Sequence, residues 1–262
     1  IIGSLIYAQD GAPDLTFGSN GVVVYNYGET VPEVQAVDES ENGRILAVVQ
    51  MTGELEIDIE IIAFNEDGTF DTTFGNDGVL ELAYIEDSYF DLQILNDGSF
   101  YLMTKPFSNQ ITISKFLENG DPDMSFGTNG NLEPMGNGEF GNFMLVNDDN
   151  SFFVQGNKTI SGVPQLLCYK FLENGEPDNS FGNNGMILHS LDNFSSVIHR
   201  NFIHHDEYLY LGVNSNDINN PLRYIYRFLT NGSLDTTFGI NGRIEVPMEE
   251  EYGVNFSVFQ EG

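Results

Sequence analysis

The chain has 262 residues, with 40 Asp and Glu against 9 Lys and Arg, a formal net charge of −31. That balance excludes nucleic-acid binding, which needs clustered cations to replace phosphate counterions, and an anionic membrane surface would repel the chain. No apolar run reaches the roughly 20 residues that a membrane helix needs, so membrane insertion is not expected.

Hydrophobic residues make up 40%, enough for a sizeable core, with 21 Phe, 12 Tyr, 28 Gly and no Trp. Recurrent Asn-Gly and Asp-Gly pairs favour strands and tight turns over helices. The acidity reads as a solvated surface, with cation binding as the sharper alternative. Cys168, the single cysteine, excludes an intrachain disulfide and sits in the apolar run QLLCYKF, where a small buried residue is expected.

The first nine residues, IIGSLIYAQ, support two readings. They resemble the tail of a secretory signal peptide, with Ala8 as the small residue before the cut. Alternatively they form the last strand of a preceding repeat, with Tyr7 in register with Phe64, Phe116, Phe171 and Phe228. The remainder, residues 10–262, reads as one repeat domain, truncated at its C-terminus.

An eight-residue phrase organises that domain. It occurs as DLTFGSNG, DTTFGNDG, DMSFGTNG, DNSFGNNG and DTTFGING. Its members are Asp14, Phe17, Gly18 and Gly21; Asp71, Phe74, Gly75 and Gly78; Asp123, Phe126, Gly127 and Gly130; Asp178, Phe181, Gly182 and Gly185; and Asp235, Phe238, Gly239 and Gly242. The Phe residues are spaced by 57, 52, 55 and 57 positions, a period that signals a propeller, solenoid or array.

One period, residues 78–130, decides among these. GVLELAYIE, YFDLQIL, SFYLMT and QITISKFL read as four successive strands, with NDG as a hairpin turn. Nothing in the period has helical periodicity, and four antiparallel strands per period match a propeller blade. In the phrase, Asp accepts backbone N–H groups in an Asx-turn and Phe is an apolar anchor between blades. Gly permits the bend, and the closing Asn-Gly or Asp-Gly leads into the innermost strand of the next blade. The phrase is therefore a construction joint, and its five Phe side chains are expected to be buried.

On these residues the chain resembles the delta-60 repeat, a β-propeller-type repeat, over residues 10–242. The resemblance implies an all-β propeller of four-stranded antiparallel blades, four full and one partial, belonging to a larger propeller. It also implies a secreted or cell-surface protein of a Gram-negative bacterium, and it supplies no activity. Two units depart from the pattern: the fourth replaces its Gly turn with HHDE (204–207), and the first inserts MTGELEIDIE (51–60).

GNGEFG (136–141) matches G-x-G-x-x-G, but strand patterns follow it where a dinucleotide site needs a helix. The four histidines, His189, His199, His204 and His205, all lie in the fourth unit. HHDE offers metal-ligand types, although adjacent strand residues point to opposite faces. The loops ENGDPDMSFG and ENGEPDNSFG fail the helix–loop–helix calcium pattern, since its sixth position falls on Phe126.

Three residues past the phrase stand Glu81, Glu133 and Glu245, on the strand expected nearest the propeller axis. There a calcium ion would relieve their mutual repulsion. No other cofactor is expected. Two functions remain open: a non-catalytic extracellular scaffold or binding module for protein or glycan contact, or a propeller enzyme acting on glycans with channel carboxylates. An enzyme would break the repeat at one place with clustered polar residues, and the fourth unit is the visible break.

Overall fold

The computed structural model describes residues 14–25, 31–52, 57–82, 88–106, 111–136, 138–191, 194, 197–205, 207–215 and 222–246. The segment 1–9, with its two readings, lies outside them. No described residue is helical. Sixteen strands form four antiparallel four-stranded sheets, each in simple sequential order.

The first sheet holds β1 (Val31–Glu39), β2 (Ile45–Thr52), β3 (Ile57–Phe64) and β4 (Val79–Leu82). The second holds β5 (Ser88–Ile94), β6 (Phe100–Pro106), β7 (Thr112–Phe116) and β8 (Asn131–Leu132). The third holds β9 (Glu139–Val146), β10 (Phe152–Ile160), β11 (Val163–Phe171) and β12 (Met186–Ser190). The fourth holds β13 (Val197–His205), β14 (Tyr208–Ser215), β15 (Arg223–Leu229) and β16 (Arg243–Glu245). These are the blades of an all-β β-propeller fold. The chain divides into two compact units: residues 1–102 with 115–122, and residues 103–114 with 123–262.

The pairing corrects the expected position of the phrase. The strand after it was expected to open the next blade. Instead β4 pairs with β3, Ile62 facing Val79 and Ile59 facing Leu82, and β12 and β16 pair with β11 and β15 in the same way. The phrase is thus the loop between the third and fourth strands of one sheet.

Its own hydrogen bonds explain the return. Ala63 N–H donates to the Gly78 carbonyl and Asp71 N–H to the Ala63 carbonyl, so the loop ends are stitched to β3. Inside it, Asp71 Oδ1 accepts from Thr73 N–H at 3.0 Å, the expected Asx-turn, and the other four phrases repeat the bond. Gly75 has φ +52°, and a Cβ there would lie 2.3 Å from the Val79 carbonyl oxygen. Only glycine fits that corner.

The phrase also joins neighbouring sheets, as expected. Gly18, Gly75, Gly127 and Gly182 donate their N–H to the carbonyls of Asp67, Asn119, Asn174 and Asn231, at 2.8–3.0 Å. Each acceptor immediately precedes the turn glycine of the next sheet's hairpin. Phe74, Phe126 and Phe181 are fully buried. Phe74 and Phe126 lie 6.0 and 6.2 Å from Phe100 and Phe152 of the following sheets.

Phe17 and Phe238, however, are only half-buried. They belong to the first and last described phrases, where the described residues supply less of a neighbour. On the outer face of the first sheet, Val22, Val24, Val34 and Val37 stay exposed around Ala47, Val49 and Ile62.

The cores lie between sheets. In the first unit Leu46, Val48, Ile59 and Ile61 pack on Phe90, Leu92, Phe100 and Leu102. In the second, Phe153, Leu166, Cys168 and Phe181 pack on Leu209, Leu211, Val213 and Phe228. Burial pushes the Cys168 thiol well above its ordinary range, so it is a packing residue, as expected.

Cations are scarce, and phrase carboxylates engage several of them: Arg44 on Asp71 at 3.0 Å, Lys170 on Asp178 at 2.8 Å, and Arg227 on Asp235. Lys170 and Arg227 stand one residue before Phe171 and Phe228. The first sheet has Ala63 at that position, and Arg44 comes from the β1–β2 turn in its place. Arg44 also reaches the Glu118 carbonyl at 2.8 Å and lies over the Phe74 ring.

Candidate functional site

The residue just before the first hairpin turn is apolar in the second and third sheets and is Glu39 in the first. Val146 faces Phe152 across the β9–β10 hairpin, and Ile94 holds the equivalent place before the Leu95–Ser99 turn. Ile94 packs against the core of its unit. In the fourth sheet that place belongs to His204, which faces Leu209. It therefore shares the face of β14 that packs on the third sheet, and its ring meets Phe153 edge-on at 5.4 Å. An imidazole stands where the second sheet packs Ile94.

A second substitution faces it. The third sheet's turn runs Asn147-Asp148-Asp149-Asn150-Ser151, closed by Asn147 N–H to the Ser151 carbonyl as Leu95 N–H closes on Ser99. Asn147 thus replaces Leu95, and Asn150 (φ +62°) replaces Gly98. Asn147 Oδ1 lies 2.7 Å from His204 Nδ1. Together Asn147, Asp148, Asp149, Ser151, Lys170, His204 and His205 line a cavity of about 530 Å³ inside the second unit, within the range of small-ligand sites.

The cavity's hydrogen bonds run in one direction. Ser151 Oγ–H donates to Asp149 Oδ1, and Asn147 Nδ2–H donates to Ser151 Oγ at 2.9 Å. That fixes the Asn147 amide with its oxygen toward His204, so Nδ1 carries the proton. His204 Nε2 is then an acceptor, and it is fully buried with no hydrogen-bond partner among the described residues.

Burial, and next the Lys170 charge, hold His204 below the ordinary histidine range, so it is neutral at pH 7. Asp149 is lowered, first by the Ser151 hydroxyl, against burial, and further by the Ser151 amide and Lys170. It is ionised. The site therefore combines a neutral imidazole acceptor, a carboxylate and an ammonium group already engaged by Asp178.

The other sequence expectations fall elsewhere. Glu81, Glu133 and Glu245 do not lie on an axial strand. They are exposed, each at or just beyond the end of a fourth strand in a separate sheet. Neighbouring sheets approach at the opposite edge, where β1 nears β5 and β9 nears β13, with Ile94 N–H bonded to Asp38 at 2.6 Å. The permuted strand pairing is the cause. No group of three or more His, Cys, Asp or Glu residues converges as a metal site among the described residues.

GNGEFG leads into β9 rather than a helix. Its Glu139 accepts from Gly136 N–H, Lys158 and Tyr169, a local structural anchor. Burial, then the Glu139 bond, push the Tyr169 hydroxyl far above its usual range. His189 packs edge-on to Tyr226 at 4.9 Å, and the side chain of His199 lies outside the described residues. His204 and His205 both border the cavity, in the unit that breaks the repeat. Asn147, Asp149 and Lys170 were missed. The first sheet also has a polar residue, Ser40, at Asn147's place in the repeat, so nothing local marked it.

Among known proteins, a family model described as "Domain of unknown function (DUF5122) beta-propeller" matches residues 209–238, from β14 to the last phrase. That supports a β-propeller repeat. No curated protein matches the sequence. The solved structures similar to this chain at low identity include three that cover most of it. One is a Pyrococcus horikoshii acylaminoacyl peptidase (14% identity, 78% of this chain, TM-score 0.47). This chain covers 32% of that protein's length. The second is a thermostable family-43 glycoside hydrolase (12%, 81% of this chain and 75% of that one, TM-score 0.40). The third is the catalytic domain of a Coprinopsis cinerea GH62 alpha-L-arabinofuranosidase (10%, 77% and 68%, TM-score 0.36). At these values no activity is carried over to this chain.

Proposed function

We propose that this β-propeller is a non-catalytic extracellular binding module that contacts glycans through the cavity at His204. We further propose that it is a delta-60 repeat protein of a Gram-negative bacterium, secreted or held at the cell surface. The observation that carries the binding reading is the placement of polar residues. Between the third and fourth sheets His204 and Asn147 meet, at the positions that hold Ile94 and Leu95 in the second sheet and Glu39 and Ser40 in the first, and they border a polar-lined cavity.

A second reading, an enzyme that hydrolyses or eliminates glycans, is favoured by one feature. A neutral imidazole, oriented through Asn147 and Ser151, and the Asp149 carboxylate border one cavity, the group types that acid–base chemistry uses. One experiment separates the two. The purified chain is run through gels containing neutral, amino and acidic polysaccharides, and the same polymers are assayed for new reducing ends and unsaturated products. Retardation without product supports the binding module. Product formation moves the assignment to the enzyme. No retardation by any polymer overturns glycan contact and leaves a protein partner.

A further inference from the structure

We propose that the joint between the third and fourth sheets is acid-sensitive: a proton added at His204 Nε2 finds no acceptor there and drives the ring out, loosening the β13–β14 hairpin from the third sheet. The inference is independent of what the cavity binds.

The geometry leaves one position for that proton. Asn147 Oδ1 accepts from His204 Nδ1 at 2.7 Å, and the Asn147 amide is itself held by Ser151. The neutral ring is thus satisfied on one side. Its other nitrogen, Nε2, is fully buried with no hydrogen-bond partner among the described residues, and the ring meets Phe153 of β10 edge-on at 5.4 Å. An unmet lone pair in that place is a modest cost. An unmet N–H carrying a full positive charge is a far larger one, because burial removes the water that would solvate it.

The charged groups around the ring do not supply the missing acceptor. Lys170 of β11 borders the same cavity with an ammonium group, engaged by Asp178 at 2.8 Å, and His205 follows on β13. Asp148 and Asp149, in the β9–β10 turn, attract a proton to the ring. Asp149 Oδ1 already takes both Ser151 bonds, however, and no carboxylate is bonded to Nε2. Burial is the largest influence on His204 and the Lys170 charge the next, both against protonation, and Asp149 and Asp148 offset them only in part.

His204 is therefore held below its unfolded value of about 6.5, and the closed joint binds fewer protons than the open one. Above that pH both forms are neutral and the joint is at full strength. As pH falls below it the open form takes up the proton first, and the joint weakens until the lower closed-state value is passed.

Two measurements on the full chain test this. Long-range proton–nitrogen NMR spectra from pH 7.5 to 5 should show His204 titrating with a midpoint below about 6.5, its neutral-state proton on Nδ1. A midpoint at or above that value, or a neutral-state proton on Nε2, overturns the proposal. Amide hydrogen exchange, corrected for the intrinsic rate at each pH, then reads opening of the joint through the amides of β13 and β14. The opening constant should rise about three- to tenfold from pH 7.5 to 5.5 in the parent, since one proton separates the two forms. In His204→Ile it should stay flat. A parent rise below about threefold, or an equal rise in His204→Ile, overturns the proposal. Should His204→Ile not fold, Asn147→Asp decides. A carboxylate facing Nδ1 favours the imidazolium, so this variant should raise the His204 midpoint and flatten the exchange profile. An unchanged midpoint and profile overturn the acid-sensitive joint.

Discussion

Phe126→Ala is the sharpest test of the phrase as a joint. The ring is fully buried, with Phe152 6.2 Å away in the next sheet and Gly175 so close that an added Cβ there would lie 3.1 Å from the ring edge. Removing it loses the transfer free energy of a buried aromatic, about 2–3 kcal/mol. A cavity term adds to this, since Gly127 N–H to Asn174 O at 3.0 Å pins the surrounding corner and limits collapse. The expected total is about 3–5 kcal/mol. Phe238 occupies the same place in its phrase but is half-buried, so Phe238→Ala should cost about 1–2 kcal/mol by the same area argument. Urea unfolding followed by tyrosine fluorescence and circular dichroism reads both. With a slope near 3 kcal/mol/M, Phe126→Ala should lower the midpoint by about 1–1.5 M. A Phe126→Ala midpoint equal to the parent's, or a larger loss at Phe238, would refute the joint.

Gly182→Ala places a Cβ 2.2 Å from the Met186 carbonyl at φ +55°, and should lower stability by about 1–3 kcal/mol in the same assay. Asp178 is pushed up by burial, but hydrogen bonds from Lys170 and Ser180, with the Lys170 charge, outweigh this and its pKa is lowered. Its contribution is therefore present above the unfolded value near 3.9 and lost as pH falls through the lower folded value. Asp178→Asn should melt several degrees below the parent at pH 6, and the gap should close below about pH 4. If residues 1–8 are the tail of a signal peptide, mature protein from the source cells begins near Gln9, and an N-terminus that extends through Ile1 rejects that reading.

What the sequence showed plainly was local chemistry. Asp-x-Thr or Asp-x-Ser makes its Asx-turn within three residues, and the glycines make their corners on the spot. Five copies in register therefore specified strands, turns and joints. The grouping of strands into sheets was less accessible. A linear repeat reads identically wherever its boundary is drawn, so the strand after the phrase could open one blade or close another. The choice lies in non-local bonds such as Ala63 N–H to Gly78 O, and the misplaced axial role of Glu81, Glu133 and Glu245 followed from that single ambiguity.

The site was half-visible for the same reason. His204 announced itself as a break in the pattern, but its partner Asn147 lies 57 residues earlier in another sheet. Neither residue is unusual alone, since a polar hairpin tip is ordinary. Only their meeting converts two tolerated surface choices into an oriented imidazole inside an apolar interface. The register supplies the test of meaning: His204→Ile trades the Asn147 hydrogen bond and the edge-on contact with Phe153 for the apolar packing that Ile94 makes in the second sheet, so its thermal midpoint weighs one against the other.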